Sequence, residues 1–352
     1  MPSNPSDSIR SRIEALLAEV GTAHQPFSVP RANDYPLILL TAYYLGAHAE
    51  AEARKLLRDA SAATAKLARA EGALLYRLGR SREAIAAFER AVKAAKQDED
   101  AELEARCQLD LGYANDARLC PVCSLGTGQP CDHQPHVTKQ RESFERALDL
   151  ARERGRAALE AEARTGLAFL SLLGQAHDEQ TSLALRNARD AEVPELIGCA
   201  CLIHAESLKA QGKLDLAKQL VGEAREALAG TGDEFANIQV GLARAEVEKQ
   251  AGQPVAAAQL QRSLAAKYEE SGLPLEAAHL LYWVAASLQA AGLTEEAKAA
   301  LKRSVEIYRR ESDERGARRS EGLGARFGFW PAPSIMSPLP EAGHEDEPDD
   351  ED

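Results

Sequence analysis

Apolar positions recur at helical spacing through most of the chain. In residues 9–20 (IRSRIEALLAEV), Ile9, Ile13, Leu16, Leu17 and Val20 share one stripe and predict a short amphipathic helix. Residues 21–36 carry three prolines and read as a loop. Residues 65–98 (AKLARAEGALLYRLGRSREAIAAFERAVKAAKQD) divide at Gly79–Ser81 into two helices. A glycine there can take the left-handed conformation that ends a helix without a Cβ penalty. Gly72, Ala84 and Ala91 are small enough to let the two helices pack closely, and Phe88 fills the space between this pair and the next. No clear run of alternating β-branched residues predicts a sheet.

The same punctuation returns along the chain. A glycine followed five residues later by alanine occurs at Gly46/Ala51, Gly79/Ala84, Gly212/Ala217, Gly252/Ala257 and Gly292/Ala297. Where the series is unbroken the glycines are 33, 40 and 40 residues apart. Self-similarity of this length predicts an array of helix pairs. A further turn is expected near Leu173–Gly174, in an irregular unit with Glu179 in place of the alanine. The expected fold is all-α: an α-solenoid of about seven helix–turn–helix units over residues 37–311. A helix and loop precede it (1–36), and a partly disordered, proline-rich and acidic tail follows (312–352).

The small–small–aromatic–small series at Gly72, Ala84, Phe88 and Ala91 resembles the tetratricopeptide repeat family. Ala68 stands where that family has a large aromatic residue. The 40-residue units are similar to the family's longer members. The resemblance implies that the first helix of each pair lines a concave groove. By that register Arg69, Ala73 and Tyr76 face the groove, followed by Arg106, Leu109 and Tyr113 in the next unit. Leu202, Glu206 and Lys209, then Leu242, Glu246 and Lys249, then Tyr282, Ala286 and Gln289 take equivalent places. Arg69, Tyr76, Arg106, Tyr113, Lys209, Lys249, Tyr282 and Gln289 are the candidate partner contacts, Tyr and Arg being favoured interface anchors. Arg69 matches one basic position of the family's carboxylate-gripping members, but Ala73 replaces the asparagine, so that function is not carried over.

One unit is interrupted. Its aromatic, Phe144, lies 56 residues beyond Phe88, 22 more than a 34-residue unit allows. The insert, 117–138, reads CPVC-SLGTGQP-CDHQPH from Cys120 to His136. Cys120 and Cys123 form a C-x2-C pair on one tight turn, Cys131 adds a third thiolate, and His136 completes a tetrahedral zinc site, with His133 the alternative fourth ligand. Metal binding would supply the folding energy that a loop with few apolar side chains lacks. A redox role for the CPVC pair lacks the βαβ setting that such motifs use. Cys107, Cys199 and Cys201, in predicted helices, read as small core residues.

Charge and missing motifs narrow the function. The net charge of −13 argues against nucleic-acid binding, as does an insert without arginine. No segment has the length and apolarity of a membrane span or a secretory leader, so the expected location is cytoplasmic. GxxxxGK[ST], HExxH and GxSxG are absent, and no enzyme is expected. The leading expectation is a scaffold or adaptor that binds a protein or peptide in its groove. The alternatives are a sensor acting on a separate transcription regulator or ATPase, a zinc-dependent nucleic-acid binder and a thiol redox sensor. Phe327, Phe329 and Trp330 could either dock in a groove or cap the last helix.

Overall fold

The computed structural model describes residues 5–22, 49–115, 134–172, 178–231 and 234–330. Every regular element among them is a helix, fifteen in all. In chain order they are α1 (Pro5–Thr22), α2 (Ala49–Arg58), α3 (Thr64–Arg77), α4 (Ser81–Gln97), α5 (Ala101–Ala114), α6 (Gln134–Glu153), α7 (Ala157–Leu172) and α8 (Asp178–Asp190). Then come α9 (Pro194–Ala210), α10 (Leu214–Ala229), α11 (Glu234–Gln250), α12 (Pro254–Glu270), α13 (Pro274–Ala290), α14 (Thr294–Arg310) and α15 (Glu314–Arg326). The chain is an α-solenoid of helix–turn–helix units, with six complete pairs from α3/α4 to α13/α14. The turns expected at Gly46 and Leu173–Gly174 lie outside the described residues.

One device, a residue in the left-handed conformation, ends ten of the fifteen described helices. Gly79, Gly212, Gly252 and Gly292 all have φ between 74° and 76°. At the first of them Gly79 N–H donates to the Tyr76 carbonyl at 3.0 Å and Arg80 N–H to Leu75 at 2.9 Å. This pairing satisfies carbonyls that a helix end would otherwise leave open. Between pairs the same turn uses Gly155 and Gly272, but also Glu99, Glu192 and Ser312, at φ of 55°, 54° and 59°. Those three turns carry no glycine signal in the sequence.

Within a pair the helices meet where a first-helix glycine faces a large second-helix side chain. A Cβ on Gly72 would come within 2.6 Å of the Phe88 ring, and one on Gly198 within 2.5 Å of Leu228. Phe144 sits between Gly112 and Gly166, where added methyls would approach its ring to 2.5 and 2.8 Å. Phe144 therefore does for α5/α6 what Phe88 does for α3/α4, and the two helices on either side of the insert form one unit. Each of these rings is fully buried, a contribution of about 1.5–3 kcal/mol apiece. The last residues of the expected insert, 134–138, belong to α6 instead.

Both ends are capped. The apolar stripe of α1 is buried against α2 and α3, and Arg12 pairs with the buried Glu71 of α3 at 2.7 Å. At the other end α15, in the segment assigned to the tail, is helical and packs on α14. Beyond it Phe327, Phe329 and Trp330 fold back. The Trp330 ring covers Gly324, and its indole N–H donates to the Glu321 carbonyl at 2.8 Å. These aromatics cap the last helix.

Candidate interaction surface

The first helices touch one another as well as their chain neighbours: α3 packs on α5, α5 on α7, α7 on α9 and α9 on α11. Second helices meet chiefly the first helices on either side of them. From α3 to α11 the first helices therefore crowd together on one side, the inner wall of the array, and the wall continues onto α13 where Lys249 of α11 meets Trp283. That wall divides into two chemically different halves.

The N-terminal half is a closed network of buried charge. Arg69 donates to both carboxylate oxygens of the buried Asp110, and to Glu52 at 3.3 Å. Arg106 donates to Glu162 Oε2 at 3.2 Å, and the fully buried Tyr113 hydroxyl donates to Glu162 Oε1 at 3.0 Å. The network ties α2 to α3, α3 to α5 and α5 to α7. Burial pushes the Glu162 carboxyl up to about 7 even though Arg106 and Tyr113 both favour its ionised form. Burial also raises Asp110, against the pull of Arg69. Of the residues assigned to the groove by register, Tyr76 and Tyr113 are thus buried, and Arg69 and Arg106 have partners within the chain. Sequence reasoning missed Glu162. Its only signal is a carboxylate four residues before Gly166 on an otherwise apolar face.

The C-terminal half pairs its charges within single helices instead of between them. Lys209 donates to Glu206 at 2.7 Å on α9, and Lys249 donates to Glu246 at 2.6 Å on α11. Both lysines stand three residues before a turn glycine, 40 residues apart. Gln289 is the third member of this series, on α13. Its Oε1 is shielded from solvent and has no hydrogen-bond partner among the described residues. The Lys249 ammonium lies 5.4 Å from the centre of the half-buried Trp283 ring, a favourable cation–π distance. The Trp283 indole donates to His279 Nε2 at 3.0 Å. Tyr282 is buried on α13, with the Arg319 guanidinium of α15 4.9 Å from its ring centre.

No group of three or more His, Cys, Asp or Glu residues able to hold a metal occurs among the described residues. Cys120, Cys123, Cys131 and His133 lie outside them, while His136 stands half-buried in the first turn of α6. Cys107, Cys199 and Cys201 are buried in helices and form no disulfide, as expected of core residues. Burial raises the Cys107 thiol and pushes Cys201 up to about 12. No described helix is long and apolar enough to cross a membrane.

No family model matches the chain, and no curated protein matches it. Solved structures are similar to it. One is described as the crystal structure of a Rap protein complexed with Competence and Sporulation Factor. It is 12% identical, covers 91% of this chain and 99% of its own, and has a TM-score of 0.52. A second, the apo form of RapI, is 12% identical over 92% of this chain and 97% of its own, with a TM-score of 0.43. The first establishes a shared helical-repeat fold along nearly the whole length of both chains.

Proposed function

We propose that this chain is a non-catalytic scaffold that binds a protein or peptide along the inner wall of its C-terminal half. The observation that carries this reading is the Lys209, Lys249 and Gln289 series beside Trp283. It repeats polar side chains at one register on three successive first helices, next to an aromatic platform. A repeating row of donors suits an extended chain, whose own polar groups also repeat. The similar fold solved with Competence and Sporulation Factor supports the reading by analogy. The N-terminal half, whose buried ion pairs tie successive helices to one another, acts as a rigid support.

The test is selection of peptides from a random library against the intact chain, followed by titration. Changing Lys209, Lys249 and Gln289 to alanine should weaken a selected peptide about tenfold or more, a loss of about 1.4 kcal/mol. Leu216→Ala, on the exposed face of α10, should leave binding unchanged. Equal affinity for the wall variant would refute this assignment.

We further propose that Cys120, Cys123, Cys131 and His136 hold a structural zinc ion. The support is their spacing, together with the place of His136 where the insert joins α6.

A further inference from the structure

The C-terminal end of the array differs in charge from the rest of the chain. Over the whole chain acids outnumber bases 55 to 42. Residues 294–326 reverse this, with nine Lys or Arg against seven Asp or Glu. Much of that charge is paired: Arg309 donates to Glu321, and Arg310 to Glu311 at 2.8 Å. Arg318 and Arg319 are different. Both are exposed on α15, and neither has a carboxylate within ion-pair distance among the described residues. Arg319 lies on Tyr282, and the Tyr282 ring centre is 5.3 Å from that of Trp283. Arg319 therefore stands at the end of the same inner wall, with Arg318 its exposed neighbour on α15.

The last described residues, Phe327–Trp330, lie at this place. Phe329 N–H donates to the Gly324 carbonyl at 2.8 Å, and Trp330 is bonded to Glu321, one helical turn from Arg318. The residues that follow include eight carboxylates between 341 and 352 and no Lys or Arg. From Trp330 to Glu345 the chain can span up to about 50 Å, whereas α15 is about 20 Å long. Tethering at this range holds the acidic segment at an effective concentration of order millimolar.

We propose that the acidic segment 341–352 docks on Arg318 and Arg319 at the mouth of the inner wall. There it covers the Tyr282–Trp283 end and competes with any other acidic peptide. The pairing is a multi-point ionic contact, strengthened at Arg319 because its guanidinium is already positioned by Tyr282. It rests on the wall described above but does not require that an outside guest exist.

The test uses full-length protein and a fluorescent peptide of residues 338–352, read by anisotropy. A chain whose acids at 345–352 are changed to Asn and Gln should bind the peptide. Wild type should bind it about tenfold more weakly, because its own tail occupies the site. Adding Arg318→Glu and Arg319→Glu to the neutralised chain should abolish binding. A peptide with lysine at each acidic position should then bind that variant, which guards against misfolding as the cause. Equal binding by the wild-type and neutralised chains, no binding by either, or indifference to the arginine reversal would each overturn the proposal. No outside guest enters the assay, so its outcome is independent of the peptide selection above.

Discussion

Replacing Gly112 with alanine measures how tightly the two helices of a unit are pressed together. In an unhindered helix interior the change should stabilise, because alanine has the better helix propensity by about 0.8–1.0 kcal/mol. At Gly112 the new methyl would stand 2.5 Å from Phe144 Cε1 and 2.8 Å from Cδ1. The ring has no retreat, since Gly166 already meets it from the other side and Tyr113 stacks edge-on at 5.4 Å between ring centres. Overpacking a core in this way costs about 1–3 kcal/mol, so Gly112→Ala should destabilise by about 1–2 kcal/mol net. Gly222, inside α10, has nothing within 4 Å of an added methyl. Gly222→Ala should therefore stabilise by about 0.5–1 kcal/mol. Urea unfolding followed by circular dichroism and fitted to a nearest-neighbour repeat scheme gives both values. Adding Phe144→Leu to Gly112→Ala should recover part of the loss, and a double-mutant cycle isolates that coupling. Gly112→Ala as stable as wild type, or a shift of the two glycine variants in the same direction, would refute close packing at Phe144.

Glu162 makes stability depend on pH with a definite sign. Its folded value, raised to about 7 from the ordinary 4.5, means that the folded state binds the extra proton. Its contribution is complete below 4.5 and is lost as pH rises through about 7, so Glu162→Gln should flatten the fall in urea midpoint across that window. Glu99→Gly and Glu192→Gly should each raise stability by about 1 kcal/mol by relieving left-handed backbone, and Gly79→Ala should lower it by a similar amount; thermal unfolding would read both. Elemental analysis of purified protein should find one zinc per chain, lost on Cys120→Ser or Cys123→Ser, and a metal-free wild type would exclude the site. Cys107, Cys199 and Cys201 should resist thiol reagents until the chain unfolds, which labelling in urea followed by mass spectrometry can check.

The helix pairs were legible because backbone geometry leaves a residue mark. Gly79, Gly212, Gly252 and Gly292 occupy left-handed turns where a side chain is strained, so four of the six pairs announce themselves. Glu99, Glu192 and Ser312 make the same turn without glycine, and those boundaries left no comparable signal. Helix α15 was missed for a different reason. It buries mainly Gly316, Ala317, Ser320, Leu323 and Gly324, residues too small or polar to form an apolar stripe, although Asp313 caps its start by accepting from Gly316 N–H at 3.0 Å. The wall was legible in register and less so in chemistry. Lys209 and Lys249 are partly buried and paired with Glu206 and Glu246, and the burial of Tyr113 depends on Glu162, which lies 49 residues away in sequence. A repeat pattern shows which side a residue faces. It does not show which partner from the next unit waits there.

Hydrogen exchange across the whole chain, with and without a selected peptide, bears most directly on the claim that the first helices receive a guest. Exchange should slow along Pro194–Ala210, Glu234–Gln250 and Pro274–Ala290, while α10, α12 and α14 stay unchanged. Protection confined to the second helices, or a bound peptide that leaves all three first helices unaltered, would contradict it.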